Sequence, residues 1–505
     1  MQRKIKPQKG SALLPVMILV VVMSALMGAM AMKITGHVKV NQRTVLSEKA
    51  LMIAEAGIQR ALTGLTWQND NMSWELKDLT QRPANAPESF WLWKWQTVKD
   101  SKGLPIGRYW LEILPAESNR RLMRIKAIGQ IFADRQGGTS GREVQRTLGV
   151  EFRQVSLGDF AIASNHQLGG TRINGGARIH GGIFTAGKLH LDASSTGIYN
   201  DYTDLNDNQN FQGYSLPVTP PEAEVFVYKD PLSADMENGV VKLAAQADLG
   251  TSANPMQAIH VQENSNIIDP GTGMTGTAGD GIIGQGQEKA KGKKDHTLPS
   301  VSFPDASVNS SFMNARKNEA QNNGNAIYTG DLVLGNSDFS LGSGPALSYN
   351  ASTHELVLQG TVYIIGNLSI PQSVSYTGKG ALFVEGNVQA PEGLEPKDSS
   401  NFPNTEALGL VCSGNMELGR NSGDSSRYAG FFFGNQSITV QKAKIYGNIF
   451  GNTVNLPTTG TRPDIYVHPD LMGSIGVALP DFSKAEILRN KWWEMKGRLG
   501  LKSPD

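Results

Sequence analysis

From Ser11 to Met32 the chain holds 22 residues without a charged side chain, flanked by Lys9 and Lys33. A helix rises about 1.5 Å per residue, so this run is long enough to cross a hydrocarbon core of about 30 Å. Ser11, Leu13, Leu14, Pro15 and Met32 mark its start and its end. Residues 41–65 then change pattern. Val45, Ala50, Ile53, Ala54, Ile58, Ala61, Leu62 and Leu65 recur at helical spacings, with Glu48, Lys49, Glu55, Gln59 and Arg60 between them. The pattern predicts one long helix over 11–65, apolar all round at first and amphipathic afterwards. Gly64 is placed to close its last turn.

Beyond residue 66 the period shortens to two. Arg108–Leu114, Leu122–Phe132 and Glu143–Phe152 alternate as strands, with Gly137, Gly138 and Gly141 as a turn before the last. The segment Trp67–Trp95, with Pro83 and Pro87, reads as irregular cover. A small α+β domain over 66–155 follows, its antiparallel sheet laid on the amphipathic helix. From 169 the sequence reads GGTRIN, GGARIH, GGIFTA, GKLHLD, with glycine at 169, 175, 181 and 187 and Ile173, Ile179, Thr185 and Leu191 at the fifth position. In a second zone the dipeptide Gly-Asn recurs beside apolar strands, with its glycine at 335, 366, 386, 414, 434, 447 and 451. Two of these gaps, 366 to 386 and 414 to 434, are twenty residues. Short glycine-cornered strands in repeat stack as coils, because none buries its apolar face alone. Asparagine can ladder along such a stack through its side-chain amide. Residues 156–480 are therefore read as a mainly β region of β-solenoid or β-helix type; antiparallel hairpins with asparagine turns are the competing arrangement. A flexible insertion is expected near 265–300, where residues 271–296 are glycine-rich and then basic. A C-terminal amphipathic helix over 481–505 is expected from Ser483 with Glu486 as a capping box, and from a stripe of Ala485, Leu488, Trp492, Met495 and Leu499.

Charge adds direction to the first helix. Residues 1–10 carry Arg3, Lys4, Lys6 and Lys9 and no acid, which orients the N-terminus to the cytoplasm and everything downstream outside. A cleavable secretory signal is the rival, since Ala29-Met30-Ala31 has the small-x-small form of its cleavage site. Over the whole chain Lys plus Arg is 47 and Asp plus Glu 46, which gives no electrostatic case for nucleic acid as a partner. Glycine, at 56 of 505 residues, fits a turn-rich β body. Cys412 is the single cysteine, so no intrachain disulfide forms and a Cys-rich zinc site is excluded.

A basic leader ending in Lys9-Gly10, followed by Ser11-Ala12-Leu13-Leu14 and an apolar helix, is similar to the class III signal sequences of type IV pilins and pseudopilins. Ala54-Glu55-Ala56-Gly57 resembles the hallmark of the PilX-type N-terminal family of pilus assembly proteins. The resemblance spans about 65 of the 505 residues. It implies cleavage by prepilin peptidase after Gly10 and methylation of the new amine at Ser11. It also implies other pilins, minor pilins, an inner-membrane assembly platform and membrane lipid as partners. The place implied is the bacterial inner membrane with the C-terminal body in the periplasm, and then the pilus. Two positions depart from the pattern. Pro15 stands where major pilins have the glutamate that receives a neighbour's N-terminal amine, and Ser11 stands where many members have Phe or Met. Proline is tolerated there, because a first-turn N–H has no intrahelical partner. A subunit that offers an amine but cannot receive one suits a filament end.

The sequence carries little catalytic chemistry. HExxH, GxGxxG and Walker A patterns are absent. Asp201, Asp204 and Asp207 are the only acidic spacing that would suit calcium, without the EF-hand pattern, and no other metal or cofactor is expected. His180 and His190 are read as ordinary outward positions, and Cys412, in an apolar run, as a buried structural thiol. The basic cluster Lys289, Lys291, Lys293 and Lys294 is read as a solvated loop. The expected function is structural rather than enzymatic: a minor pilin-like protein, with the pilus tip as one place for it, displaying a β domain to a surface or glycan ligand. The alternative is a secreted β-helix protein, adhesin or glycan-active, cleaved near Ala31.

Overall fold

The computed structural model describes residues 13–69, 91–132 and 144–165 with small gaps, short stretches between 171 and 295, most of 303–477, and 485–495. It divides into two compact units: residues 1–153 with 489–505, and residues 154–488. The second unit is thus inserted into the chain of the first.

In the first unit, helix α1 (Leu13–Asn69) runs through both predicted halves. It continues past Gly64, which lies within the helix and does not close it; Trp67 and Gln68 prolong the helical run. Among the described residues the sheet has six strands, and the four pairings that follow are antiparallel. Pro105–Ala116 pairs with Asn119–Ile131, which pairs with Val144–Ser156, and the short strands Trp91–Leu92 and Gln96–Lys99 both pair with Pro105–Ala116. The three predicted strands are present and each is longer than its sequence pattern. The expected cover over 67–95 lies mostly outside the described residues, and its last part forms the two short strands.

The C-terminal helix expected over 481–505 is not formed at residues 485–495. Ala485–Met495 is a strand on the sheet's edge, beside Val144–Ser156. Its Ile487, Trp492 and Trp493 suit a pleated surface as well as a helical stripe, and the unpaired N–H and C=O groups of the neighbouring strand decide between them.

The second unit is built on one sheet of 28 strands among the described residues. Most pairs are parallel and in register, and they fall into three ladders. In the first ladder Val362, Leu382, Leu410, Phe432, Ile449, Ile162, Ile183 and Val225 follow one another as direct partners, each fully buried. The second passes through Leu368, Val388, Met416 and Ile438, and further on pairs Ile173 with Leu191. The third carries Ile445, Ile465, Ile179 and Ile198 in succession. Buried aliphatic side chains stacked at one register exclude water along each ladder, at about 1.5–3 kcal/mol for each fully buried residue.

The hexad repeat now has a geometric meaning. Thr171, Arg178 and Gly182 open three successive strands, one in each ladder, and Leu189 returns beside Thr171. Three hexads therefore make one circuit. The insertion expected near 265–300 is not structureless in its described parts. Met274–Thr277 pairs antiparallel with Asn266–Asp269, and Ala290–Asp295 extends the first ladder beside Ile259–Gln262. Open edges of the preceding strands hold these polar sequences in extended form despite their lack of an apolar period.

Candidate functional site

Two surfaces of α1 divide the work along the helix. From Leu14 to Met32 its apolar side chains stand exposed: Leu14 at 71%, Val21 at 66% and Met32 at 79%. It is the one helix among the described residues long and apolar enough to cross a membrane. Pro15 sits in its first turn, where its missing N–H costs no helical bond. Thr35 and Thr44 turn their hydroxyls back to the carbonyls of Ala31 (2.7 Å) and Val40 (3.1 Å), so even these polar groups are satisfied within the helix. An apolar rod of this kind is stable only among lipid tails or other apolar helices.

The second half of α1 is seated on the sheet of its own unit. Ala50, Ile53, Ala54, Ile58 and Ala61 are buried there, with Leu111, Ile125, Ala127 and Ile131 among the buried sheet residues. Small residues set the approach. A side chain at Gly129 would strike the backbone of Ala50 and Ala54, and one at Gly57 would meet the Tyr109 ring at 2.9 Å. Arg146 Nε donates to Ser47 Oγ, fixing the sheet to the start of the seated stretch. Burial raises the Tyr109 phenol above its ordinary pKa, with Arg60 opposing. The tetrapeptide singled out in the sequence splits accordingly: Ala54 and Gly57 are buried, Glu55 is half-buried and Ala56 exposed. Val45, at helical spacing with this stripe, is nevertheless 48% exposed, because the sheet begins beside Leu46 and Ala50.

Other sequence-derived candidates fall elsewhere. Gly10 and Ser11 lie outside the described residues, as do Asp201, Asp204 and Asp207. Among the described residues no group of three His, Cys, Asp or Glu side chains is placed to hold a metal. Cys412 is buried, its Sγ 3.6 Å from the Gly414 carbonyl, and burial pushes the thiol up to about 12. His180 is not an outward position. It is buried in the third ladder and stacked on Tyr466 at 4.3 Å and Tyr199 at 5.0 Å, because its register partners are these same tyrosines. His190 is half-buried.

A polar row runs along the Gly-Asn corners, where asparagines were expected to ladder. Asp331 Oδ1 accepts from the Asn367 N–H at 2.8 Å, Asn367 Oδ1 from the Asn387 N–H at 2.8 Å, and Asn387 Oδ1 from the Asn415 N–H at 2.8 Å. Ser437 Oγ then donates to Asn415 Oδ1 at 2.7 Å. The glycine before each asparagine makes the room: a Cβ on Gly386 would strike Asn367 Oδ1, and one on Gly414 would strike Asn387 Oδ1.

No family model matches this chain, and no curated protein matches it in sequence. Among solved structures it is similar to the crystal structure of the competence-associated pilin ComZ from Thermus thermophilus, with 16% sequence identity and a TM-score of 0.48, over 89% of this chain and 97% of that one.

Proposed function

We propose that this chain is a pilin-like structural subunit of a type IV pilus or related pseudopilus, of the minor, PilX-type kind. The observation that carries the reading is α1, an exposed apolar rod whose far half is seated on a sheet by Ala50, Ile53, Ala54 and Ile58. Such a rod is held in the membrane first, and then buried among like rods in a filament core. The sequence of the leader supports cleavage after Gly10 by prepilin peptidase, methylation of Ser11, and assembly from the bacterial inner membrane with the β body on the periplasmic side. Pro15 supports a place at the filament end or in its initiation, since proline has no carboxylate to receive an incoming amine. The three parallel ladders and the eighteen residues between Thr171 and Leu189 support reading the large body as a β-solenoid. Its role in this reading is display, with adhesion to a surface as the purpose, and neither catalysis nor a cofactor has a part in it.

The test is mass spectrometry of the mature N-terminus. A methylated Ser11 is expected. A start at Met32 means that the rod has been removed, and it would replace this reading with that of a secreted β protein. Filament counts that rise in Pro15→Glu would count against the end position.

A further inference from the structure

The outer surface of the second unit holds a polar hollow. Past Phe303, whose ring lies 6.0 Å from that of Phe184, the chain runs back along the ladders. The Ala306 N–H donates to Asn435 Oδ1 at 3.1 Å, and helix α2 (Ser311–Asn322) follows. Between this segment and the Gly-Asn corners lies a cavity of about 290 Å³, lined by Ser307, Val308, Glu385, Asn387, Ser413 and Gln436 together with the Gly386 and Gly414 backbone.

We propose that this hollow binds a neutral polyhydroxylated ligand of the size of one sugar ring. The volume is at the lower end of the range for small-molecule sites, about 300–1,000 Å³. Its chemistry is mixed. Asn387 uses its Oδ1 on the ladder, which leaves its amide N–H groups to donate, and Gln436 offers both a donor and an acceptor. Ser413 is 5% exposed, and its Oγ has no hydrogen-bond partner. A buried hydroxyl left unpaired is costly, and a turn about the Ser413 Cα–Cβ bond toward the hollow would let a ligand pair it. Glu385 accepts at Oε1 from Tyr363 at 3.0 Å and from Lys317 at 3.4 Å, which fixes the carboxylate at the rim. Val308, 43% exposed, gives an apolar wall.

Other ligand classes fit less well. An anion would find a carboxylate in the lining and no lining cation. A divalent cation of the calcium kind asks for six to eight oxygens, whereas here one carboxylate stands beside the Lys317 ammonium. Hydroxyl groups both donate and accept, and so match amide, hydroxyl and carboxylate together.

The inference deepens the display role and rests on it for its purpose, but its test needs no filament. The full chain, in a zwitterionic detergent without a sugar headgroup, is probed by saturation-transfer NMR with glucose, galactose and N-acetylglucosamine. At least one should show transfer. Gln436→Ala should weaken its binding about two- to tenfold, as loss of one hydrogen bond does. Val308→Arg, whose long side chain fills the hollow beside Glu385, should abolish it, with circular dichroism unchanged for both. Transfer to none of the three sugars, transfer unaffected by either variant, or binding of calcium or phosphate alone would overturn the proposal. The pilin reading stands or falls separately on the mature N-terminus.

Discussion

Single side chains in this protein are set by what is stacked beside them. His468 is 4% exposed, with its ring 5.6 Å from Phe402 and 5.4 Å from Tyr446. Its Nδ1 accepts the Asp470 N–H at 3.3 Å, which only the neutral imidazole can do. Burial lowers its pKa to about 4 from 6.5, with the Asp470 charge opposing. The sign follows directly. The folded state favours the neutral ring, so this stability is fully present above the unfolded value near 6.5 and is lost as pH falls through 4. A shift of that size corresponds to about 3 kcal/mol. Denaturant unfolding of the large β unit should therefore weaken between pH 6.5 and pH 4, and His468→Gln should flatten the slope. A slope that survives the substitution would assign it to carboxylates instead. Cys412, whose thiol is pushed up to about 12, shows the same effect of burial on a second group, but at alkaline pH.

At the scale of elements, the Gly-Asn corners join sequence to structure most closely. Asn367 and Asn387 each send the side-chain oxygen to the backbone N–H of the next asparagine in the ladder, and the glycine before that asparagine clears the path. Asn387→Ala should therefore cost about 1 kcal/mol, the net worth of one hydrogen bond with its donor left to water. Gly386→Ala should cost more, since the new methyl meets the Gly366 backbone carbonyl, which cannot swing aside, as well as Asn367 Oδ1. Equal losses, read by chemical denaturation, would refute the packing account. The corner residues were legible because the Gly-Asn pair recurs beside one apolar strand after another, and the buried half of α1 was legible from its three- and four-residue spacing. Ala485–Met495 was not. Its Ala485, Leu488, Trp492 and Met495 keep the helical spacing, and the strand edge that settles the matter lies more than three hundred residues earlier in the chain. His180 was misjudged for the same reason, as its tyrosine partners become neighbours only through strand pairing.

For the whole molecule, the order of strands in the ladders differs from their order in the chain. The first strands of the second unit, Phe160–Ser164 and Arg178–His180, pair on one side with the strands that follow them. On the other side they pair with the last, at Ile449↔Ile162 and Tyr466↔His180. The chain thus enters the ladders in the middle, extends them one way, returns along the outside past Phe303 and Ala306, and builds the other part back toward its starting point. No local pattern reports this, because the closing contacts join residues nearly three hundred positions apart, and the loop-closure cost of such contacts is met only by what the junction itself provides. Besides the stacked ring of His180 on Tyr466, the junction has Asn448, fully buried, whose Nδ2 donates to the carbonyls of Gly158 at 3.0 Å and Phe160 at 2.7 Å. Asn448→Ala leaves both carbonyls buried without that donor, at a cost of about 2 kcal/mol or more. Because the lost bonds lie between two parts that each retain their own ladders, the damage should be local to the junction. Hydrogen exchange in the variant should quicken first at 160–164 and 447–451, while amides at 380–384 keep their protection. Uniform loss across all three segments would mean that the two parts fold as one, and that the closing strands are no weaker than the rest.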